Sequence, residues 1–266
     1  MGEAAGRRPE QAPTGGAVGY RVEDGVAWLV IDRPEARNAI NRAVADGLWA
    51  GFRRFDQDPD AVVLVLTGAG EAFCAGADLK EMAALGLTVP PRDLTPNLGR
   101  NLQVAKPVVA AVNGAAFGGG FLLAQMCDLC VAATSARFAI TEARWGRGAP
   151  WAAPLPWLVP PRVAMELLLT GEPIDADRAY QVGLVNRVVA DPELRSEAGR
   201  LARRIAANAP LSVRAAKAMV HASAGRDLDR AVEEGWRLFQ PVYLSEDAQE
   251  GPRAFTEKRP PVWKGR

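Results

Sequence analysis

Three cysteines and a single histidine in 266 residues close off much of the usual catalytic repertoire. An odd number of cysteines implies no closed disulfide framework and fits a reducing compartment, expected to be the cytoplasm. Cys127 and Cys130 make one C-x-x-C, but no second pair follows, and His221 lies far downstream. The three thiols therefore read as small buried apolar residues, and no metal site is expected. One histidine also removes most Ser-His-Asp and Cys-His mechanisms; His221 is expected on a helix face without chemistry. No apolar run approaches the roughly 20 residues of a membrane span. The formal charge is only +1, so no overall basic field for nucleic acid exists. Residues 1–19 hold Pro9, Pro13 and five glycines but no apolar stretch, and read as a disordered leader.

What remains is an ordinary globular composition, 48% hydrophobic and 24% charged. "YRVEDGVAWLVIDRP" predicts a hairpin turning at Asp24-Gly25. Val44, Leu48, Phe52 and Phe55 recur at helical spacing, predicting an amphipathic helix over 41–55. "AVVLVLTG", "PVVAAV" and "LCVAA" are continuous apolar runs, as strands covered on both faces require. A helix is expected over 95–105. After about residue 160 the pattern becomes helical, over 161–170, 175–183, 191–207, 210–222 and 226–243. The chain thus reads as α/β: a leader over 1–17, a core over 18–200 and a helical region over 201–266. Residues 251–266 carry five basic side chains against Glu257, a balance of +4 that suits either a solvated tail or a site for an anionic group.

"NGAAFGGGFLLAQMCD" places three consecutive glycines, Gly118 to Gly120, between an apolar run and a helix. Such a bare backbone allows close approach or a turn that a Cβ forbids. Neither a Walker loop nor a dinucleotide fingerprint fits the spacing. A turn opening a helix does leave unpaired N–H groups able to hold an oxyanion. A second turn, "EAFCAGADL", offers another such group. If both turns follow adjacent parallel strands, they lie at one sheet edge, where ligands bind in open α/β sheets. Were "RFAIT" a strand, Phe138, Ile140 and Glu142 would share a face, and desolvation there would raise the pKa of Glu142.

"FCAGADLKEM", "NGAAFGGGFLLAQMCDLCVAA", "RPEARNAIN", "GLVNRVV" and "AFTEKR", in that family's order, make the chain similar to the crotonase superfamily, the enoyl-CoA hydratase/isomerase group, from about Tyr20 to Lys258. The resemblance implies a crotonase-like spiral of ββα units with a helical C-terminal trimerisation region, assembled as a homo-trimer or dimer of trimers. It implies an acyl-CoA thioester as substrate, with no cofactor beyond that coenzyme A. By motif position the thioester oxygen would be held by the N–H groups of Ala75 and Gly119, with Glu142 as acid/base. Ala77, Asp78, Leu79 and Leu122 would line the substrate site. Phe239, Phe255 and Lys258 would reach the nucleotide end of CoA from a neighbouring subunit. The departure is Leu122, which stands where related hydratases carry a second glutamate. One base suffices to move a double bond, so the mechanism leans slightly towards isomerisation. The alternatives are a hydratase with another polar side chain holding the water, and a non-catalytic acyl-CoA binder. The segment with Arg144, Trp145, Arg147, Trp151 and Trp157 is bulky for an acyl-pocket wall and reads either as a pocket for a large acyl group or as core.

Overall fold

The computed structural model describes residues 16–86 and 88–266; the expected leader over 1–17 falls almost wholly outside them. Among the described residues, ten strands form two sheets. The larger contains β1 (Val18–Glu23), β2 (Val26–Ile31), β3 (Val63–Gly68), β5 (Val108–Val112), β7 (Leu129–Ala133) and β10 (Arg187–Val189), in that spatial order. The smaller contains β4 (Ala72–Cys74), β6 (Ala115–Phe117), β8 (Arg137–Ala139) and β9 (Ile174–Asp175). β1–β2 and β8–β9 pair antiparallel, and the other pairs of these strands are parallel. The β1–β2 turn has positive φ at both Asp24 (49°) and Gly25 (76°), the twist that matches a tight hairpin.

The apolar runs alternate across the larger sheet. Leu29, Ile31, Leu64, Leu66, Val108 and Ala110 face α1 (Arg42–Gln57), whose Val44, Leu48, Phe52 and Phe55 are fully buried, as the helical spacing predicts. Trp28, Val63, Val65, Val109 and Val131 face the other way, onto Leu194, Ala198, Leu201 and Ala202 of α6 (Leu194–Ala206). Burying a large apolar side chain is worth about 1.5–3 kcal/mol, so α6 is held by the sheet itself. Beyond it, α7 (Pro210–Ser223) and α8 (Leu228–Tyr243) pack on each other, and α9 (Glu246–Thr256) closes the chain. The remaining helices are α2 (Leu79–Ala84), α3 (Gly119–Gln125), α4 (Pro161–Thr170) and α5 (Ala176–Gln181). Asp128 ties α7 to the core: Lys217 Nζ lies 2.8 Å and His221 Nε2 3.1 Å from its carboxylate. His221 is thus a structural contact on a helix.

Two expectations are corrected. No helix forms over 95–105. Gly99 turns at φ 75°, and the Asn101 side chain bonds Arg92 O and Thr95 O, holding a looped turn instead. The strand through "RFAIT" ends at Ala139; Thr141 is already in a helical conformation, and Glu142 begins a 3-10 turn over Glu142–Trp145.

Candidate active site

Three strands of the smaller sheet run parallel in the order β4-β6-β8, so their C-terminal ends share one edge. Each end delivers one part of the site. After β4 comes Ala75-Gly76-Ala77, after β6 comes Gly118-Gly119, and after β8 comes Glu142. The two glycine turns therefore follow short strands of the second sheet, not the long apolar strands β3 and β5 from which the sequence pattern suggested them.

The three glycines answer to different demands. Gly118 has φ 52° and ψ −116°, and a Cβ there would lie 3.2 Å from Glu142 Oε1. The carboxylate thus rests against the bare Cα. At Gly120 a Cβ would come within 2.0 Å of Cys74 O, so only glycine lets α3 start this close to β4. Between them, Gly119 is the first residue of α3, and its N–H has no partner among the described residues.

The second arm requires a correction. The N–H of Ala75 donates to Arg37 O at 3.0 Å and is already committed. Two residues on, Ile40 N–H donates to Gly76 O at 2.7 Å and Asp78 N–H to Ile40 O at 2.9 Å. This pairing flanks Ala77 and leaves its N–H facing away from Ile40, without a partner among the described residues. A Cβ built on Gly119 would lie 3.7 Å from Ala77 N, so the two free amides are neighbours. The motif-based assignment of this arm to Ala75 does not fit that bonding, and Ala77 becomes the candidate.

Side-chain amides fix the spacing of these arms. Asn38, fully buried at φ 58°, donates from Nδ2 to Ala69 O (2.8 Å) and Ala72 O (2.7 Å) and accepts from Arg33 N. Asn113 Nδ2 also reaches Ala72 O, at 3.2 Å, and Gly70 O, at 2.8 Å. Neither asparagine was singled out from sequence, although Asn38 lies within "RPEARNAIN" and Asn113 opens the glycine segment.

Glu142 is largely desolvated, which pushes its pKa above the ordinary carboxylate range; its own backbone N–H and then the Trp151 side chain pull less strongly the other way. Its Oε2 is buried without a hydrogen-bond partner. Trp151 lies against Phe121, with ring centroids 6.2 Å apart, and Phe121 meets Phe138 edge-on at 6.4 Å. Leu122 is buried on α3. Of the other bulky residues, Arg144 pairs with Glu172, while Trp145 and Trp157 are exposed.

The remaining expected residues lie apart from this cluster or play other parts. Asp78 caps α2 and pairs with Arg33 at 2.7 Å, a contact that lowers its pKa. Leu79 is half-exposed at the start of α2. Phe239 is half-buried on α8, whereas Phe255 on α9 and the following Lys258 are exposed. The basic tail is mostly neutralised: Arg253 and Arg259 pair with Glu250, and Lys264 and Arg266 with Glu246. Cys74 and Cys130 are buried and their thiols pushed up to about 12. Among the described residues no group of His, Cys, Asp and Glu is placed to hold a metal ion, and no helix is long and apolar enough to cross a membrane.

The pattern of the family described as enoyl-CoA hydratase/isomerase matches residues 21–266. The carnitinyl-CoA dehydratase of Salmonella typhi is 41% identical over 253 residues, covering 90% of this chain and 94% of that protein. The crystal structure of an enoyl-CoA hydratase from Mycobacterium marinum superposes with a TM-score of 0.88 at 39% identity, covering 95% of this chain and all of that one. A structure from Mycobacterium abscessus described as a probable enoyl-CoA hydratase/isomerase gives 0.86 at 41% identity, with 95% and 100% coverage.

Proposed function

The chain belongs to the enoyl-CoA hydratase/isomerase family, and on that premise we propose that it adds water to, or removes it from, an acyl-CoA thioester through an enolate, with Glu142 as the single acid/base. The observation that carries this reading is the buried, unpartnered Glu142 Oε2 beside the glycine turn, next to two unpaired amides. The Ala77 and Gly119 N–H groups would hold the thioester oxygen. A donor of this kind, stronger towards the enolate than the ground-state carbonyl, is worth about 3 kcal/mol of barrier.

In the hydration direction the Glu142 carboxylate takes a proton from water as the water oxygen bonds to C3. The C2=C3 electron pair moves to the thioester oxygen, giving the enolate. Glu142 then returns the proton to C2, so one water is added and the enzyme is restored. Dehydration is the reverse. A carboxylate with a raised pKa suits both halves, because it both accepts and releases the proton near neutrality. The dehydratase and hydratase names of the relatives favour this direction.

Leu122 favours a second reading, double-bond isomerisation, in which Glu142 moves a proton between C2 and C4 and no water enters. Heavy-oxygen water separates the two. Label in the acyl product of a 2-enoyl-CoA supports hydration, and migration of a 3-enoyl double bond without label supports isomerisation. The neighbouring-subunit roles of Phe239, Phe255 and Lys258, and assembly as a trimer or hexamer, belong to the same proposal.

A further inference from the structure

Of two cavities away from the candidate active site, one lies beside α9 and is lined mostly by charged side chains already paired with one another. There Glu250 pairs with Arg253 and Arg259, and Glu246 with Lys264. The other, of about 240 Å³, lies where β3 and β5 begin. These two strands run parallel, so the buried Val63 and Pro107 stand at one edge of the larger sheet. Ile205 and Ala206 from the end of α6 and Val213 from the start of α7 continue the apolar lining. Trp263 completes it from the C-terminal segment. Its indole N–H donates to Ala207 O at 2.9 Å, and its ring lies where a Cβ on Gly251 would meet it at 3.5 Å, so this wall is fixed in place.

Arg214 is the one charged residue of this lining. It is half-buried and makes no ion pair or hydrogen bond among the described residues. The neighbouring cations along the chain are both engaged: Lys106 Nζ donates to Phe55 O at 2.9 Å and Asp58 O at 2.6 Å, and Lys217 Nζ lies 2.8 Å from Asp128. A guanidinium drawn partly out of water beside apolar walls, with no acid facing it, is costly until an anion pairs with it. We propose that this cavity binds a small monocarboxylate with an apolar body. Its carboxylate would accept two parallel N–H···O bonds from the Arg214 fork, and its chain would lie against Val63, Ile205 and Trp263. Bare phosphate would satisfy Arg214 but shed no water from those walls. The volume falls below the roughly 300–1,000 Å³ of sites for drug-sized ligands, so the ligand is small. Such acids are the class released when an acyl thioester is hydrolysed. The cavity shares no residue with the candidate active site, and the proposal does not rest on the enolate reading.

The test is calorimetric titration of the full-length protein with hexanoate, hexanamide and inorganic phosphate, with and without saturating butyryl-CoA. Hexanoate is expected to bind in both conditions, about ten-fold or more tightly than the neutral amide or phosphate. It should also shift the indole N–H resonance of Trp263, identified by its loss in Trp263→Phe. Arg214→Met keeps the aliphatic stem and removes the fork. It is expected to weaken hexanoate about ten- to hundred-fold, the worth of a charge-assisted hydrogen bond, and to leave butyryl-CoA binding unchanged. Four results overturn the proposal: no hexanoate binding at millimolar concentration, equal binding of hexanamide or phosphate, displacement of hexanoate by butyryl-CoA, or full affinity in Arg214→Met. Should Arg214→Met not fold, the wild type still decides. A Trp263 resonance that hexanoate leaves unmoved, or that hexanamide moves as readily, contradicts the site.

Discussion

At the scale of single residues, the site is built by small side chains that leave backbone bare and by one largely desolvated carboxylate. Glu142 binds its proton more tightly in the folded chain than in the unfolded one. Its burial therefore costs nothing below the unfolded pKa, costs progressively more as pH rises to the folded pKa, and is constant above that. Glu142→Gln is expected to abolish turnover yet raise the melting temperature at pH 7 to 8. The stability gap should close in acid, where both proteins are neutral at this position; calorimetry across pH checks it. The same shift places the acid limb of the rate profile above the ordinary carboxylate range. Gly118→Ala puts a methyl group 3.2 Å from Glu142 Oε1 on a backbone that side chains rarely adopt. A stability loss of about 1–3 kcal/mol is expected, with a larger proportional loss of kcat than of CoA affinity. Denaturant titration and steady-state kinetics measure the two. Asn38→Ala removes the donor to Ala69 O and one of two donors to the buried Ala72 O, and denaturant titration is expected to show a loss of about 1–3 kcal/mol.

At the scale of elements, what could be read in advance was whatever repeats over many residues. The hairpin at Asp24-Gly25, the stripe of α1 and the apolar strands β3, β5 and β7 each carry a period long enough to see. The strands that present the site do not: β4, β6 and β8 have three residues each, too few for any period. The glycine turns were visible, but which amide was free depended on the Arg37–Ile40 loop, a partner remote in sequence. Helix α9 escaped notice because Gly251 and Pro252 sit inside it. Its carboxylates hold the C-terminal segment. Glu250 accepts from Arg259, Val262 N and Arg253, contacts that hold its carboxyl well below the usual range. That stabilisation is present above the ordinary carboxylate pKa and is lost only as pH falls through the depressed value. Glu250→Ala is expected to loosen residues 257–266 at neutral pH, read as faster proteolytic trimming after α9 with the sheet still folded.

At the scale of the whole molecule, one apolar surface stands out. Leu228, Val232, Trp236 and Tyr243 lie along one face of α8 and are all exposed, with Trp236 64% accessible. The stripe faces outward, which is where the proposed second copy would cover it. Val232→Asp with Trp236→Asp should shift sedimentation from an oligomer to a monomer and cut affinity for CoA thioesters. Phe255, 86% exposed, and Lys258 would then have no neighbour's site to enter. Retained oligomeric mass would place the interface elsewhere.

One carboxylate and two amides are proposed to generate an enolate, and exchange of the C2 proton of a saturated acyl-CoA in heavy water reads that step alone. The wild type should exchange it, and Glu142→Gln should lose exchange by about a thousand-fold or more while binding the thioester as before. Exchange surviving in Glu142→Gln, at unchanged binding, would contradict the assignment of this residue as the acid/base.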